Sequence, residues 1–324
     1  MSPRSVLVVK PSSLGDVVHT LPAVSLLKRA WPETRLRWIV NPEWAPLLEG
    51  NPDVDEIILF PRRELSGSLI KQLRWLRATG KACRSDLVLD FQGLLRSAIM
   101  GRFCRGGKLV GLSDAREGAR FFYDQAVAVG REHAVDRYLK LVAALGIDTT
   151  GPLTWNLPEG SRPAGFELEE PFVLLHPFSR GAGKSLSAEE ALEFAAALPC
   201  PVVLAGRANV TLPSAEGKPG KLVNLLNQTT VHELIWLLRR ARFVVSVDSG
   251  PMHIAAALTP HLLSLHTWSD PALVGPYNPD AWVWKERTLF QVRELHTPPP
   301  PAAKPTFAPD LAAVAAQVAA WVSE

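Results

Sequence analysis

The chain has 324 residues, of which 47% are hydrophobic and 21% are charged, and its formal net charge is +3 at pH 7. This length exceeds the size at which a single hydrophobic core usually stops growing, so we expect two globular domains. The composition is that of an ordinary globular protein, and so small a net charge does not by itself imply a nucleic acid partner.

Targeting and redox signals point to the cytoplasm. The first residues, MSPRSVLVVK, hold no apolar segment of secretory length, and no later run approaches the ~20 apolar residues of a membrane span. Three cysteines, Cys83, Cys104 and Cys200, lack disulfide or metal-site spacing. They are typical of buried cysteines in a reducing compartment.

The first elements are a buried strand at Ser5–Val9, a small polar loop at residues 10–16, and a helix from Val17 to about Ala30 with an apolar face. The loop lies where open α/β sheets bind ligands, at the carboxyl end of a strand. Asp16 at the helix start has two interpretations: a favourable charge at a helix N-terminus, or a base facing a cleft.

Strands and helices continue to alternate through the first half. Further strands are predicted at residues 35–40, 56–60, 87–90 and 108–111, with a short helix at 44–48 and a second turn into a helix at 91–97. This order predicts an α/β domain with a parallel sheet and helices on both faces.

One segment of the first half is strongly basic. Residues 62–84 contain seven Lys or Arg and a single acid, Glu64. On a helix, Lys71, Arg74, Arg77, Lys81 and Arg84 fall along one side, and Leu69, Ile70, Leu73 and Leu76 along the other. Such a face is either simply solvated or a docking surface for phosphorylated lipid or an anionic sugar. Few aromatic residues interleave with the charges, which disfavours nucleic acid.

Residues 151–171 are rich in Pro, Gly and charge, and predict an interdomain connection. A second alternating series follows, with strands at 172–176, 201–205 and 223–225 and helices from Ser187 and at 231–241. Ser187 and Glu190 have the spacing of a capping box. Near the end, a Pro-rich segment at 298–309 precedes an Ala-rich helix at 311–322 that Asp310 caps.

The stretch FVVSVDSGPMHIAAAL at residues 243–258 reads as a buried strand, a break at Asp248-Ser249-Gly250, and a helix with Pro251 in its first turn. The free backbone N–H groups at the start of such a helix favour a phosphate. The alternative is an ordinary joint with Asp248 or Ser249 as a plain N-cap. Lys184, in a Gly-rich loop expected at the same sheet edge, is either exposed or neutralises a diphosphate.

Five motifs in order resemble one known family. They are KPSSLGDVVHTLP from Lys10, DFQGLLRSA from Asp90, HAVDRY from His133, HPFSRGAGKS from His176, and VSVDSGPMHIAAAL from Val245. Together they resemble the ADP-heptose:lipopolysaccharide heptosyltransferases of glycosyltransferase family 9, most closely the heptosyltransferase I type. The resemblance implies a GT-B fold, in which two Rossmann-like domains face each other across a cleft and a C-terminal helix crosses back to the first.

The resemblance also implies domain roles. Residues 1–155 would form the acceptor-binding domain, 156–170 the linker, 171–300 the nucleotide-sugar-binding domain, and 301–324 the Pro-rich segment and C-terminal helix.

Residue roles follow by position. Asp16 is implied as the catalytic base and Lys184 as the group that stabilises the leaving diphosphate. The implied donor-binding residues are Ser12, Ser13, Gly15, Ser179, Asp248, Ser249, Gly250 and His253. Arg62, Arg63 and Arg96 are implied to bind the acceptor.

The implied reaction is an inverting transfer of heptose from ADP-heptose to Kdo of lipid A. Neither a metal nor another cofactor is expected, because no carboxylate pair or His/Cys cluster has metal-site spacing. The implied partners are a nucleotide sugar, an anionic glycolipid acceptor and the inner face of the inner membrane, with no nucleic acid. Open alternatives are a family member with another nucleotide sugar or acceptor, a GT-B epimerase, and a non-catalytic sugar-nucleotide-binding protein.

Histidines and tryptophans near the motifs give further expectations. We expect His19, His133 and His176 to be structural, and His253 to be the histidine with the best claim to a role at the site. Trp268, Trp282 and Trp284 fall late enough in the second half to line a nucleotide pocket.

Overall fold

The computed structural model describes residues 2–181, 183–210, 212, 222–295 and 310–323. The chain divides into two compact units, Met1–Pro158 and Glu159–Glu324. Each unit is built on a sheet that is mainly parallel. The predicted α/β class is therefore confirmed.

The first unit holds a six-stranded sheet in the order β3-β2-β1-β4-β5-β6. Every neighbouring pair of these strands is parallel. The strands are β1 (Ser5–Val9), β2 (Arg35–Val40), β3 (Glu56–Leu59), β4 (Ser85–Asp90), β5 (Arg105–Leu112) and β6 (Gln125–Val127). The chain passes from β1 to β2 on one side and later places β4 on the other, so β1 and β4 flank the point where strand order reverses.

Five helices accompany this sheet: α1 (Leu14–Ala30), α2 (Arg62–Leu65), α3 (Leu69–Ala82), α4 (Leu95–Cys104) and α5 (Ala134–Ala143). Short 3₁₀ helices lie at Ala45–Leu47 and Ala119–Phe122. α1 packs against α5, whereas α3 packs against α4. α1 begins at Leu14, three residues earlier than predicted, because Ser13 takes the N-cap position and Asp16 bonds back to it. Asp16 thus lies inside the first helical turn.

The second unit holds a seven-stranded sheet in the order β13-β12-β11-β10-β7-β8-β9. Its strands are β7 (Val173–His176), β8 (Val202–Gly206), β9 (Leu222–Leu226), β10 (Phe243–Val247), β11 (Leu262–His266), β12 (Trp282–Lys285) and β13 (Thr288–Gln291). β12 and β13 form an antiparallel pair, and the other neighbours are parallel. Strand order reverses between β7 and β10.

The helices of this unit are α6 (Ala188–Ala197), α7 (Val231–Arg240), α8 (Gly250–Leu258), α9 (Pro271–Val274) and α10 (Leu311–Ser323), with a 3₁₀ helix at Val292–Glu294. The predicted capping box is confirmed, since Ser187 Oγ accepts from the Glu190 N–H at 3.0 Å and Glu190 accepts from the Ser187 N–H at 2.6 Å.

The C-terminal helix packs within the second unit. Val314, Ala315, Val318 and Val322 of α10 are buried in the same core as β7, β8 and β10. The apolar face of this helix is therefore covered by the second core. The expectation that the helix crosses back to the first domain stays a prediction. The predicted Pro-rich segment before it lies outside the described residues. None of the helices in the described ranges is long and apolar enough to cross a lipid bilayer.

Candidate active site

In the first unit, the loops that follow β1 and β4 lie side by side. The two strands are parallel neighbours, with Val9 opposite Asp90, so residues 10–13 and 91–94 leave the same edge of the sheet. This edge is the point of strand-order reversal, where open α/β sheets place their ligands. Asp16, Ser12 and Arg96 are all carried by these loops or by the helices they enter.

Asp16 is held firmly while part of its carboxylate stays open. Its Oδ2 accepts from the Ser13 N–H at 2.9 Å and from the Ser13 hydroxyl at 2.7 Å. Its Oδ1 lies 3.6 Å from Lys10 Nζ, and the side chain is 39% exposed. A fixed, accessible carboxylate at a sheet edge is what a general base requires.

Lys10 is the buried cation behind Asp16. Its Nζ donates to the Phe91 carbonyl at 3.1 Å and to the Tyr138 hydroxyl at 2.8 Å. Burial would lower the pKa of Lys10, but its interactions with Tyr138, Asp16 and Asp90 outweigh burial and raise the pKa. The ammonium group is therefore positively charged at pH 7. The sequence indicated only that Lys10 belongs to the loop.

Asp90 organises the second loop. Its carboxylate accepts from the backbone N–H groups of Gln92 and Gly93 and from the hydroxyls of Ser97 and Tyr123, at 2.8–3.1 Å. Burial raises the pKa of Asp90, although these hydrogen bonds act to lower it. The turn so fixed positions Gln92, whose Oε1 accepts from the Ser12 N–H at 3.1 Å. The two loops are thereby joined.

A pocket opens beside these loops and contains two arginines. It is lined by Pro11, Ser12, Asn41, Phe60, Arg62, Gln92, Leu94, Arg96 and Ser97. The pKa of Arg96 is lowered by burial and by the charge of Arg62, against an opposing effect of Glu117. Within the described part of the chain, neither guanidinium has a hydrogen-bond or ion-pair partner. Two like charges converging on one pocket favour an anionic ligand.

The other residues predicted for this edge are placed differently. Arg63 points away from the pocket; it is 91% exposed and lies 3.5 Å from Glu43. Ser13 is the N-cap of α1, and Gly15 is buried in its first turn. Ser12, predicted with the donor-binding residues, lines the pocket of Arg62 and Arg96.

In the second unit, three loops meet at the carboxyl ends of β7, β10 and β11. Ser246 lies opposite His176, and Val247 lies opposite Leu265. The loops therefore bring together the HPFSRGAGKS segment, Asp248-Ser249 and residues 267–270. This edge too is a point of strand-order reversal.

The start of α8 keeps backbone donors free. Ser249 occupies the N-cap position, but its hydroxyl makes no capping hydrogen bond. Its Oγ lies instead 3.2 Å from His176 Nδ1. Among the residues that the structure describes, the N–H groups of Ser249 and Gly250 have no acceptor. The plain N-cap interpretation is therefore not what the structure shows, and the helix start can receive an anion.

Lys184 and Asp248 form an ion pair across this edge. The predicted proximity of these two residues is confirmed. Burial would raise the pKa of Asp248, but His266, Lys184 and a hydrogen bond from Ser269 lower it. Lys184 Nζ also lies 4.5 Å from the centre of the Trp268 ring, a side chain that is 48% exposed. An ammonium has three donors, so Lys184 can hold Asp248 and still reach a phosphate oxygen.

Two buried histidines support this edge. His266 Nε2 lies 2.8 Å from Ser264 Oγ, and its Nδ1 lies 3.1 Å from Ser269 Oγ. Burial lowers the pKa of both His176 and His266 to about 4. Both rings are therefore neutral at pH 7 and act by hydrogen bonding. No sequence motif singled out His266, because its role depends on its burial, which the local pattern does not specify.

Remaining predicted residues fill structural positions. The Ser179 N–H donates to Ser185 Oγ at 2.8 Å, which closes the loop that carries Lys184. His253 is buried in α8. Trp284 is buried in the core beside α10, and Trp282 packs against the same core. The expectation that these two tryptophans line a nucleotide pocket is wrong, because β12 turns them toward the C-terminal helix.

The expectation that His133 and His19 have structural roles is confirmed. His133 caps α5, where its Nδ1 accepts from the Val135 N–H at 3.2 Å, and its ring lies 5.3 Å from that of His19. Among the described residues, no group of three or more His, Cys, Asp or Glu side chains is arranged to hold a metal ion.

Comparison of the chain with known proteins identifies its family. Residues 73–294 match the model of glycosyltransferase family 9 (heptosyltransferase). Lipopolysaccharide heptosyltransferase 1 of Pseudomonas aeruginosa is 32% identical over 84% of this chain and 81% of its own length. The chain belongs to glycosyltransferase family 9.

Solved structures agree with the assignment to family 9. The E. coli heptosyltransferase WaaC with ADP has a TM-score of 0.70 and 27% identity, and the match covers 87% of this chain and 93% of that one. The same enzyme with ADP-2-deoxy-2-fluoro heptose has a TM-score of 0.68 and 25% identity, over 86% of this chain and 92% of that one. The fold is therefore the GT-B fold, and the protein is a glycosyltransferase, as the resemblance implied.

Proposed function

We propose that this protein is an inverting heptosyltransferase that moves heptose from ADP-heptose to the Kdo of an anionic lipid A acceptor. The observation that carries the proposal is that each unit has its own sheet edge equipped for a different substrate. One has an accessible carboxylate beside a two-arginine pocket, and the other has free helix N–H groups beside a lysine. The relatives support it, since they are described as lipopolysaccharide heptosyltransferases and one is solved with an ADP-heptose analogue.

The first unit would bind the acceptor. Arg62 and Arg96 would pair with its negative groups, and Ser12 and Gln92 line the same pocket. Asp16 would accept the proton of the attacking hydroxyl. The Lys10 ammonium, 3.6 Å from Asp16 Oδ1, would orient this carboxylate before the substrate arrives.

The second unit would bind the donor. The N–H groups of Ser249 and Gly250 and the ammonium of Lys184 would hold the diphosphate, and the exposed Trp268 ring offers an apolar surface beside it. As the acceptor oxygen bonds to C1, the bond from C1 to the phosphate oxygen breaks and its electron pair leaves with ADP. The configuration at C1 inverts.

We propose that no metal or other cofactor takes part. Lys184 and the helix N–H groups supply the positive potential that a metal ion supplies in other transferases. Because the acceptor is anchored in lipid, we also propose that the protein works in the cytoplasm, peripherally at the inner face of the inner membrane. No nucleic acid partner is proposed.

The test is a transfer assay with purified protein in EDTA. ADP-heptose, a UDP-sugar and a GDP-sugar are each supplied with and without Kdo-lipid A, and both released nucleotide and glycosylated lipid are measured. We expect ADP release and glycolipid formation only with ADP-heptose plus acceptor. Turnover with another donor, release without acceptor, or loss of activity in EDTA would each contradict a stated part of the proposal.

A further inference from the structure

Helix α3 exposes large apolar side chains to solvent. Leu69 is 81% exposed, Ile70 66% and Leu73 38%. The sequence pattern placed these residues along one side of the helix and the basic residues along the other. Trp75 and Leu76 in the later part of this helix pack against the core of the first unit, and Thr79 and Gly80 are buried. The N-terminal half of α3 therefore presents an uncovered apolar strip.

The same half of the helix is basic. Lys71, Arg74 and Arg77 are exposed, and within the described ranges none of them forms an ion pair. Glu64 is the only acidic residue between positions 62 and 84. Apolar side chains and unpaired cations are therefore exposed together on this half of the helix, rather than being divided into a packed side and a solvated side.

We infer that α3 docks on a bilayer that contains anionic phospholipid. Leu69, Ile70 and Leu73 enter the boundary between headgroups and acyl chains, while Lys71, Arg74 and Arg77 contact the phosphates. A short helix with uncovered apolar side chains and adjacent cations is the arrangement that binds at a membrane interface. An acidic protein surface or a nucleic acid would neutralise the cations. Neither would account for three large aliphatic side chains that are exposed to water beside them.

The position of α3 fits a lipid-linked acceptor. α2 directly precedes it and begins with Arg62, which lines the two-arginine pocket. The two helices are tied together by the Gln72 side chain, which donates to the Leu65 carbonyl at 3.1 Å. Docking of α3 would therefore hold that pocket close to the bilayer. This step rests on the proposed function, whereas the docking itself does not.

The experiment measures partition of the full-length protein onto vesicles of phosphatidylcholine alone or of an equimolar mixture with phosphatidylglycerol. The apolar variant is L69S/I70S/L73S, and the charge variant is K71E/R74E. R207E/R287E is the matched control, because it makes the same change in net charge at two exposed arginines of the second unit. Melting temperature verifies that each variant folds, as expected for exposed positions.

We expect wild type and control to bind the anionic vesicles more tightly than the neutral ones. The apolar variant should lose about 100-fold or more in partition onto anionic vesicles. The charge variant should lose about 25-fold or more there, with little change on neutral vesicles. Unchanged partition of a folded apolar variant, or an equal loss in the control, would overturn the inference. So would a wild-type dimer that the apolar variant dissociates, since a second copy would then cover α3.

Transfer assays separate this inference from the proposed function. With the acceptor embedded in anionic vesicles, both α3 variants should lose activity. With a soluble acceptor that lacks acyl chains, both should keep wild-type activity, because α3 contributes nothing to the chemistry. If wild type binds vesicles through α3 but transfers no sugar to either acceptor, the proposed function fails and the docking surface remains.

Discussion

At the scale of single residues, Lys10 differs from Arg62 and Arg96 in the partners of its charge. Lys10 has all its partners inside the protein, in Asp16, Tyr138 and the Phe91 carbonyl. Arg62 and Arg96 line one pocket, and among the described residues neither has a hydrogen-bond or ion-pair partner. A fully satisfied charge orients its neighbours, whereas an unpaired couple of arginines on a pocket is available to an anionic ligand.

This difference predicts the effect of Arg62→Met. We expect the acceptor KM to rise at least about tenfold, since one charge-assisted contact to the ligand is lost. The melting temperature should hold or rise slightly, because removal of Arg62 relieves repulsion with Arg96. Acceptor titrations and thermal unfolding measure the two effects.

Arg63→Met is the matched control for this prediction. Arg63 adjoins Arg62 in sequence but is exposed and lies near Glu43. It should leave KM unchanged. Equal effects of the two substitutions would show that the pocket is not what binds the acceptor.

The sequence predicted part of the site and missed part of it, for a definite reason. Asp16, Asp248 and Lys184 stand in motifs, and the order of elements predicted that Lys184 and Asp248 would meet. The roles of Lys10 and His176 depend on burial and on partners that are distant in the sequence. Tyr138 is 128 residues from Lys10, and Ser249 is 73 from His176. Local pattern carries no information about such contacts.

At the scale of elements, buried strands and capped helices were predictable. β1, β2 and β10 have the predicted bounds, because apolar β-branched runs ended by turn residues identify central parallel strands. β6, α5 and the antiparallel β12–β13 pair were not predicted. β6 has only three residues and is paired to the edge of the sheet, so tertiary contact decides its conformation.

Because His266 at the end of β11 is buried, we expect the stability of the fold to depend on pH. Burial lowers the pKa of His266 in the folded state to about 4, from 6.5. Below pH 6.5 the His266 ring is protonated in the unfolded chain, whereas in the folded chain it is protonated only below about pH 4. Stability is therefore complete above pH 6.5 and is lost as pH falls toward 4, by about 3 kcal/mol for this residue.

Urea unfolding at several pH values tests this in His266→Gln. The variant lacks the titrating ring, so its unfolding free energy should fall less steeply between these pH values than that of wild type. The gap between the two proteins should therefore narrow as pH falls. The exposed His261→Gln is the control. A slope that His266→Gln leaves unaltered would mean that this ring is not held neutral by burial.

At the scale of the whole molecule, each unit has its own sheet, its own core and one prepared edge at a point of strand-order reversal. The chemistry at the two edges differs. The first has an accessible carboxylate beside a pocket lined by two arginines, and the second has free backbone N–H groups beside a lysine. We therefore propose that acceptor chemistry belongs to the first unit and donor binding to the second.

Asp16→Asn and Lys184→Met separate the roles of the two units when the Kd of ADP, obtained by calorimetry, is measured beside kcat. We predict that Asp16→Asn binds ADP as wild type does and loses at least about 100-fold in kcat, because only proton transfer is removed. Lys184→Met should weaken ADP binding at least about tenfold, and Lys184→Arg should recover part of it. Wild-type turnover by Asp16→Asn, or an ADP affinity that depends on Asp16 and not on Lys184, would contradict the account.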